Sequence, residues 1–284
     1  MKDYHVSDIK ERMKKFYNQS VVYQDLLADM THYRRDAVLE QYVYLVNKFG
    51  PQQGVFLELG CGTGEAVRQL ANEGREIIGV DISMRLLKTK EASIDEESPN
   101  FVVADITHLP FQNRSVSCVA LHEVIEHIPD VNELLDEILR VLSADGCVII
   151  ISPNLISPIK PIRHILGIEG FNTKFYGSYL KAIWAIFSNL ALIFNKLLSS
   201  QPKFTYRSPI LDDFQCPDDD AVYMSNFIDF KKWFISKGFV VFYSPFMLWN
   251  DSFLNQLKLK ILKWFPWLDK GFCLVAERTE QSTL

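Results

Sequence analysis

The sequence predicts an α/β fold, a parallel sheet with helices on both faces, and three observations predict it. A short apolar run, Val55–Leu59, ends in glycines and passes straight into a helical pattern at Glu65–Leu70. From 55 to 152, strand-like runs alternate with helical ones, the signature of βαβ units joined by right-handed crossovers. Two late runs, Phe239–Ser244 and Phe272–Glu277, then return as strands after a long excursion.

Taken in order, residues 1–50 are helical: Ile9, Met13, Phe16 and Tyr17 form one stripe, and Val38, Tyr42, Leu45, Val46 and Phe49 a second. Gly50-Pro51 stops the second helix before the first strand. Strands follow at Val55–Leu59, Glu76–Asp81, Asn100–Ala104, Val116–Leu121 and Gly146–Ser152, with helices over 65–72, 83–92 and 132–142 between them. Asp229–Lys237 reads as a helix closed by Gly238. Residues 155–224 and 247–270 are insertions. The first carries Tyr179–Leu198, a helix with Lys181, Ser188 and Asn195 on one narrow polar face and apolar residues elsewhere, suited to a greasy cleft, a partner or a bilayer surface. The second sets Lys258, Lys260 and Lys263 among Leu, Ile, Phe and Trp, a pattern of interfacial membrane segments and equally of a packed cap. Ser208–Asp220, rich in Pro and Asp, reads as an exposed loop with solvated charge.

The chemistry starts at Gly60, Gly62 and Gly64. Glycines between a strand and a helix bring bare backbone N–H groups and a helix N-terminus up to a ligand. Dinucleotide loops space their glycines as Gly-x-Gly-x-x-Gly, whereas the spacing here is Gly-x-Gly-x-Gly. Glu58 just before the loop would repel a phosphate and hold an ammonium group, which favours a cationic, phosphate-free nucleoside. Glu58, Gly60, Asp81, Asp105 and His122 all fall at or just past strand ends, where open parallel sheets bind ligands.

With these residues the sequence resembles the class I S-adenosylmethionine-dependent methyltransferases, closest to the ubiquinone-biosynthesis-like branch. The resemblance implies a Rossmann-like seven-stranded sheet with the last strand antiparallel, and S-adenosyl-L-methionine as cofactor. Val55–Gly64, with Glu58, Gly60, Cys61, Gly62 and Gly64, looks like the first motif. Asp81, followed by Ile82, looks like the acid that takes the ribose hydroxyls, and Asp105 with Ile106 like the pair that meets the adenine. His122–His127 looks like the segment facing the reacting methyl. His127 is the favoured base for a hydroxyl acceptor, and His122 a cofactor contact with the alternative role of base. Glu123, Glu126 and His127 are also similar to an E-x-x-E-H metal motif; metal-free relatives carry a similar segment and no fourth ligand is visible, so no metal is assigned. By the same resemblance 1–50 is a helical lid, with Tyr17, Tyr23, Tyr33, Arg34 and Arg35 as lid candidates. Residues 51–154 and 225–284 are then the core, and 155–224, with 247–270, the substrate cap.

Composition sets outer bounds. Over 284 residues, 48% hydrophobic and 23% charged is a globular composition, and a net charge of −5 gives no whole-chain attraction for nucleic acid. The five cysteines, Cys61, Cys118, Cys147, Cys216 and Cys273, are unpaired in pattern and fit a reducing, cytoplasmic setting with membrane-surface association as an option. The N-terminus lacks a secretory apolar stretch, and no uninterrupted run of about 18 apolar residues suggests a spanning helix. The expected activity is O-methylation of a hydrophobic small molecule or lipid-linked acceptor. The rivals are a nicotinamide-dependent oxidoreductase and a non-catalytic interaction protein on the same fold.

Overall fold

Strand β1 (Phe56–Leu59) is buried at every residue because it lies between β2 (Ile77–Asp81) and β4 (Val116–His122), parallel to both. In the computed structural model, which describes residues 6–23, 35–88, 100–167, 176–214, 218–246 and 260–278, these strands belong to one seven-stranded sheet. With β3 (Asn100–Val103), β5 (Leu142–Pro153), β6 (Phe239–Pro245) and β7 (Gly271–Arg278), its order is β3-β2-β1-β4-β5-β7-β6. Strand β7 runs antiparallel to both β5 and β6, and the first five strands are parallel. All seven sequence-predicted strands are present.

Strand alternation divides the core between two faces. Leu57, Leu59, Val119, Leu121, Val148 and Ile150 point to one side, where they meet α5 (Val131–Val141) and α8 (Phe227–Ser236). Phe56, Cys118, Ala120, Ile149 and Ile151 point to the other, against α2 (Arg35–Phe49) and α3 (Glu65–Asn72). Cys61, Cys118, Cys147 and Cys273 are all buried free thiols. Side chains start these helices as the sequence allows: Asp130 accepts from the Glu133 amide at 3.1 Å, and Asn226 from the Asp229 amide at 3.0 Å. Of the predicted helix 83–92, α4 (Met84–Leu87) is described, capped by Ser83.

α1 (Val6–Gln19) buries Ile9, Met13 and Phe16, and its Ile9 and Met13 pack on Val222. The 155–224 insertion contributes α6 (Ile159–Ile165) and α7 (Tyr179–Leu198). The sequence leaves open what covers the apolar side of α7, and one expectation is corrected: outside Lys181, Ser188 and Asn195 the helix is not all apolar, since Asn189 and Lys196 form part of its inner face. The face of α7 turned into the protein is Ala182, Asn189, Ile193 and Lys196, so part of its polarity is inside and most of its bulky apolar surface outside. The reason is a buried ion pair: Lys196 Nζ lies 2.6 Å from Asp229 Oδ2 of α8, and Asn189 Nδ2 donates to the Ser157 carbonyl at 3.3 Å. A second correction concerns Asp219 and Asp220, predicted as solvated and in fact buried. Tyr33, Arg34, the Arg35 side chain, Cys216, Lys258 and most of the second insertion lie outside the described residues.

Candidate active site

The chain reverses its direction of travel across the sheet between β1 and β4, and there the carboxyl ends of the strands leave a crevice. The loop from β1 to α3 forms its floor. Gly60 and Gly62 sit at φ 70° and 55°, left-handed backbone that favours glycine. A Cβ on Gly60 would stand 2.5 Å from Val124 Cγ2, whereas a Cβ on Gly62 would meet nothing within 4 Å, so this backbone fronts open space.

Asp81, at the end of β2, is fixed by its own backbone neighbours. Its Oδ2 accepts from the Gly62 amide and its Oδ1 from the Ser83 amide, both at 2.8 Å. Burial pushes its carboxyl up to about 6, with those amides opposing the rise. Asp105, two residues past β3, has Oδ1 held by the Thr107 amide and hydroxyl, each at 2.9 Å. Gly60, Gly62, Asp81, Ile82, Asp105 and Ile106 line one cleft of about 150 Å³. α1 adds Lys10, Met13 and Tyr17 as a wall, and Glu123, Val124 and His127 add another.

His127 ends a short 3-10 turn, Ile125–His127, and stands between two acids. Its Nδ1 is 3.4 Å from Asp220 Oδ2 and its Nε2 is 3.5 Å from Glu126 Oε1. Tyr17 donates its hydroxyl to the same Asp220 Oδ2 at 2.9 Å, and Ser152 donates to Glu126 Oε2 at 3.0 Å. Burial opposes a charge on His127, but Asp220, Glu126 and Asp218 outweigh it and raise the imidazole above its usual value. Burial pushes Glu126 up to about 8 in spite of the neighbouring His127.

The remaining sequence candidates stand elsewhere. Glu58 is buried beneath the loop, behind the cleft lining, and its Oε2 has no hydrogen-bond partner among the described residues. Burial and the Asp81 carboxylate push it up to about 8. Cys61 and Gly64 belong to the loop but not to the lining, and a Cβ on Gly64 would clash with the Phe101 ring. His122 turns away from the cleft and stacks on Tyr42, ring centroids 5.2 Å apart.

The shared helical face imagined for Glu123, Glu126 and His127 does not form. Glu123 has a left-handed φ of 52° and lines the cleft, while Glu126 turns inward to Ser152. Among the described residues no group of three or more His, Cys, Asp or Glu is placed to hold a metal. Sequence reasoning missed Asp220 and Lys10. Lys10 was within reach, since it shares a helical flank with Met13 and Tyr17. Asp220 carries no local signal, because its partners are about 90 and 200 residues away.

The strand order, the antiparallel seventh strand and a glycine loop at the switch point define a class I S-adenosylmethionine-dependent methyltransferase fold, and this chain has it. Residues 57–150 match the methyltransferase domain family, and this segment is a methyltransferase domain of that class. The chain is 29% identical over 136 residues to the demethylmenaquinone methyltransferase of Lactobacillus johnsonii, covering 45% of this chain and 54% of that protein. It is 29% identical over 146 residues to the malonyl-[acyl-carrier protein] O-methyltransferase of a Methylovorus species, covering 48% of each. The chain thus spans about half the length of these curated relatives. In fold it is similar to the crystal structure of a SAM dependent methyltransferase from Archaeoglobus fulgidus, with a TM-score of 0.55 at 17% identity, over 90% of this chain and 100% of that one.

The residues present fit the cofactor of that class on two counts. A buried carboxylate oxygen on Glu58 lacks a partner, and the Gly62 backbone faces room that no side chain fills. Gly60, Gly62, Asp81, Ile82, Asp105 and Ile106 are the residues that would hold the nucleoside, with Glu58 behind the loop as counter-charge.

Proposed function

We propose that the chain binds S-adenosyl-L-methionine in this cleft and catalyses methyl transfer to an oxygen of a hydrophobic small-molecule or lipid-like acceptor. The observation that carries the reading is His127, held between Asp220 and Glu126 in the cleft that Gly62 and Asp81 line. When bound, S-adenosylmethionine supplies a methyl group on a sulfonium, open to in-line displacement.

The chain's own part is alignment and proton handling. Asp81 takes the ribose hydroxyls on the lone pairs its backbone contacts leave, and Asp105 and Ile106 border the base. α1 covers the cleft with Met13 and Tyr17 and limits water, which strengthens electrostatic contacts inside. His127 receives the acceptor's hydroxyl proton, and the resulting imidazolium is held by the Asp220 carboxylate, whose Oδ2 lies 3.4 Å from Nδ1. Tyr17 steadies Asp220 from the other side. Mixed apolar and polar lining suits an acceptor with a greasy body and one reactive hydroxyl. Support for an oxygen acceptor over an amine is this proton-accepting arrangement, since a neutral amine attacks through its free lone pair before losing a proton. The test is transfer of tritiated methyl into organic-extractable product with phenolic and lipid hydroxyl acceptors; label appearing only on amines or carbon would refute the oxygen assignment.

Asp81→Ala is expected to weaken cofactor binding by about 1.5–3 kcal/mol, the value of hydrogen bonds to a charged group. Titration calorimetry giving unchanged affinity would remove Asp81 from the site. A pH effect follows from Glu58. With its carboxyl at about 8, it is mostly protonated at neutral pH in the free protein. A neighbouring ammonium favours the carboxylate form, so binding is expected to release a proton and to tighten as pH rises toward that value. Calorimetry in buffers of different ionisation enthalpy measures the release, and a buffer-independent heat would contradict it.

A further inference from the structure

α7 presents its apolar side to the outside. Leu180, Trp184, Phe187, Phe194 and Leu198 are 79%, 73%, 67%, 62% and 70% exposed, and they follow one another at spacings of three, four or seven residues along one face. By length and composition the helix could cross a membrane, with a mean hydropathy of 1.3, yet only 22% of that stretch is buried in the protein, unlike a core helix. Its opposite face nonetheless binds it to the domain. Lys196 is paired with Asp229 and Asn189 is bonded to Ser157, contacts that a spanning helix would have to strip, leaving a buried charge unpaired. The helix therefore lies along a surface and does not leave the body of the protein.

Charge selects what covers it. α7 carries no acid, and Lys181 is exposed beside the apolar stripe, in a chain whose net charge is −5. Lys181, Ser188 and Asn195 border the apolar stripe, at the level where lipid headgroups would lie. A second basic and aromatic edge adjoins it: Trp267 packs against the cluster that Ile193 of α7 forms with Ile156 and Ile228, Phe265 stands edge-on to Trp267, and Lys260, Lys263 and Trp264 beside them are exposed. A second copy of this chain would bring the same positive charge to the contact, whereas an anionic bilayer complements it.

We propose that α7 lies flat in the surface of an anionic lipid bilayer, with its Leu180–Leu198 face in the acyl boundary and the bordering lysines among the headgroups. The inference rests on the exposed face and not on the reaction proposed above. The full chain is mixed with phosphatidylcholine vesicles and with phosphatidylcholine–phosphatidylglycerol vesicles and sedimented. Partitioning onto the anionic vesicles is expected to be about tenfold stronger, as a few lysines near the surface provide. Trp184→Ser with Phe187→Ser, on the outward face only, is expected to abolish pelleting while S-adenosylhomocysteine affinity and the unfolding midpoint stay unchanged. Lys181→Glu with Lys263→Glu is expected to remove the preference for anionic vesicles, and serves if the first variant misfolds. The proposal is overturned if the wild-type chain stays in the supernatant with both vesicles, if either variant pellets like wild type, or if ultracentrifugation shows a wild-type dimer that the Trp184/Phe187 variant makes monomeric.

Discussion

His127→Ala is expected to lower turnover by about 100- to 10,000-fold, the range of a lost general base, while leaving cofactor affinity unchanged. The imidazole touches Asp220 and Glu126 but none of the residues assigned to the nucleoside, so the loss falls on chemistry. A pH profile makes the assignment specific. A base works only when unprotonated, so the rate rises with pH through the His127 value, which Asp220, Glu126 and Asp218 lift above that of a free imidazole. Asp220→Asn removes the nearest of these carboxylates and is expected to move the acidic limb to lower pH. A limb that stays in place, or full activity in His127→Ala, would exclude His127 as the base.

Asp229→Ala is expected to cost about 3–5 kcal/mol of stability, the cost of leaving a buried charge without its partner. Asp229 is fully buried and accepts from Lys196 Nζ at 2.6 Å, the Lys203 amide at 2.9 Å, Asn226 Nδ2 at 2.9 Å and the Tyr223 hydroxyl at 3.1 Å. Its removal strands Lys196, which is 2% exposed and also donates to the Lys203 carbonyl and to Thr205. Burial already lowers the Lys196 ammonium against the pull of Asp229, and without that acid the charged form loses its main support. Urea denaturation reads the loss. A change within about 0.5 kcal/mol, as for a surface substitution, would mean that α7 is held by apolar contacts alone.

The sheet and the cleft floor were legible in the sequence because their signals are local. Glycines at alternate positions after an apolar run, and acids at the ends of two later runs, fix Gly60, Gly62, Asp81 and Asp105 without knowledge of distant contacts. Helical periodicity likewise gave α7, but it tells which faces differ and not which one is inside. That was decided by Asp229, 33 residues after Lys196. Asp220 escapes the local signal for the same reason: three consecutive acids are usually exposed, and only the arrival of Tyr17 and His127 makes burial of Asp220 favourable. The E-x-x-E-H reading assumed a helix, and the left-handed Glu123 breaks it.

Co-crystallisation with S-adenosylhomocysteine tests the central assignment most directly. The structure predicts the nucleoside along Gly60–Gly62 with its ribose on Asp81 and its sulfur directed toward His127. Density for the nucleoside away from Gly62 and Asp81, or with its sulfur turned from His127, would contradict it.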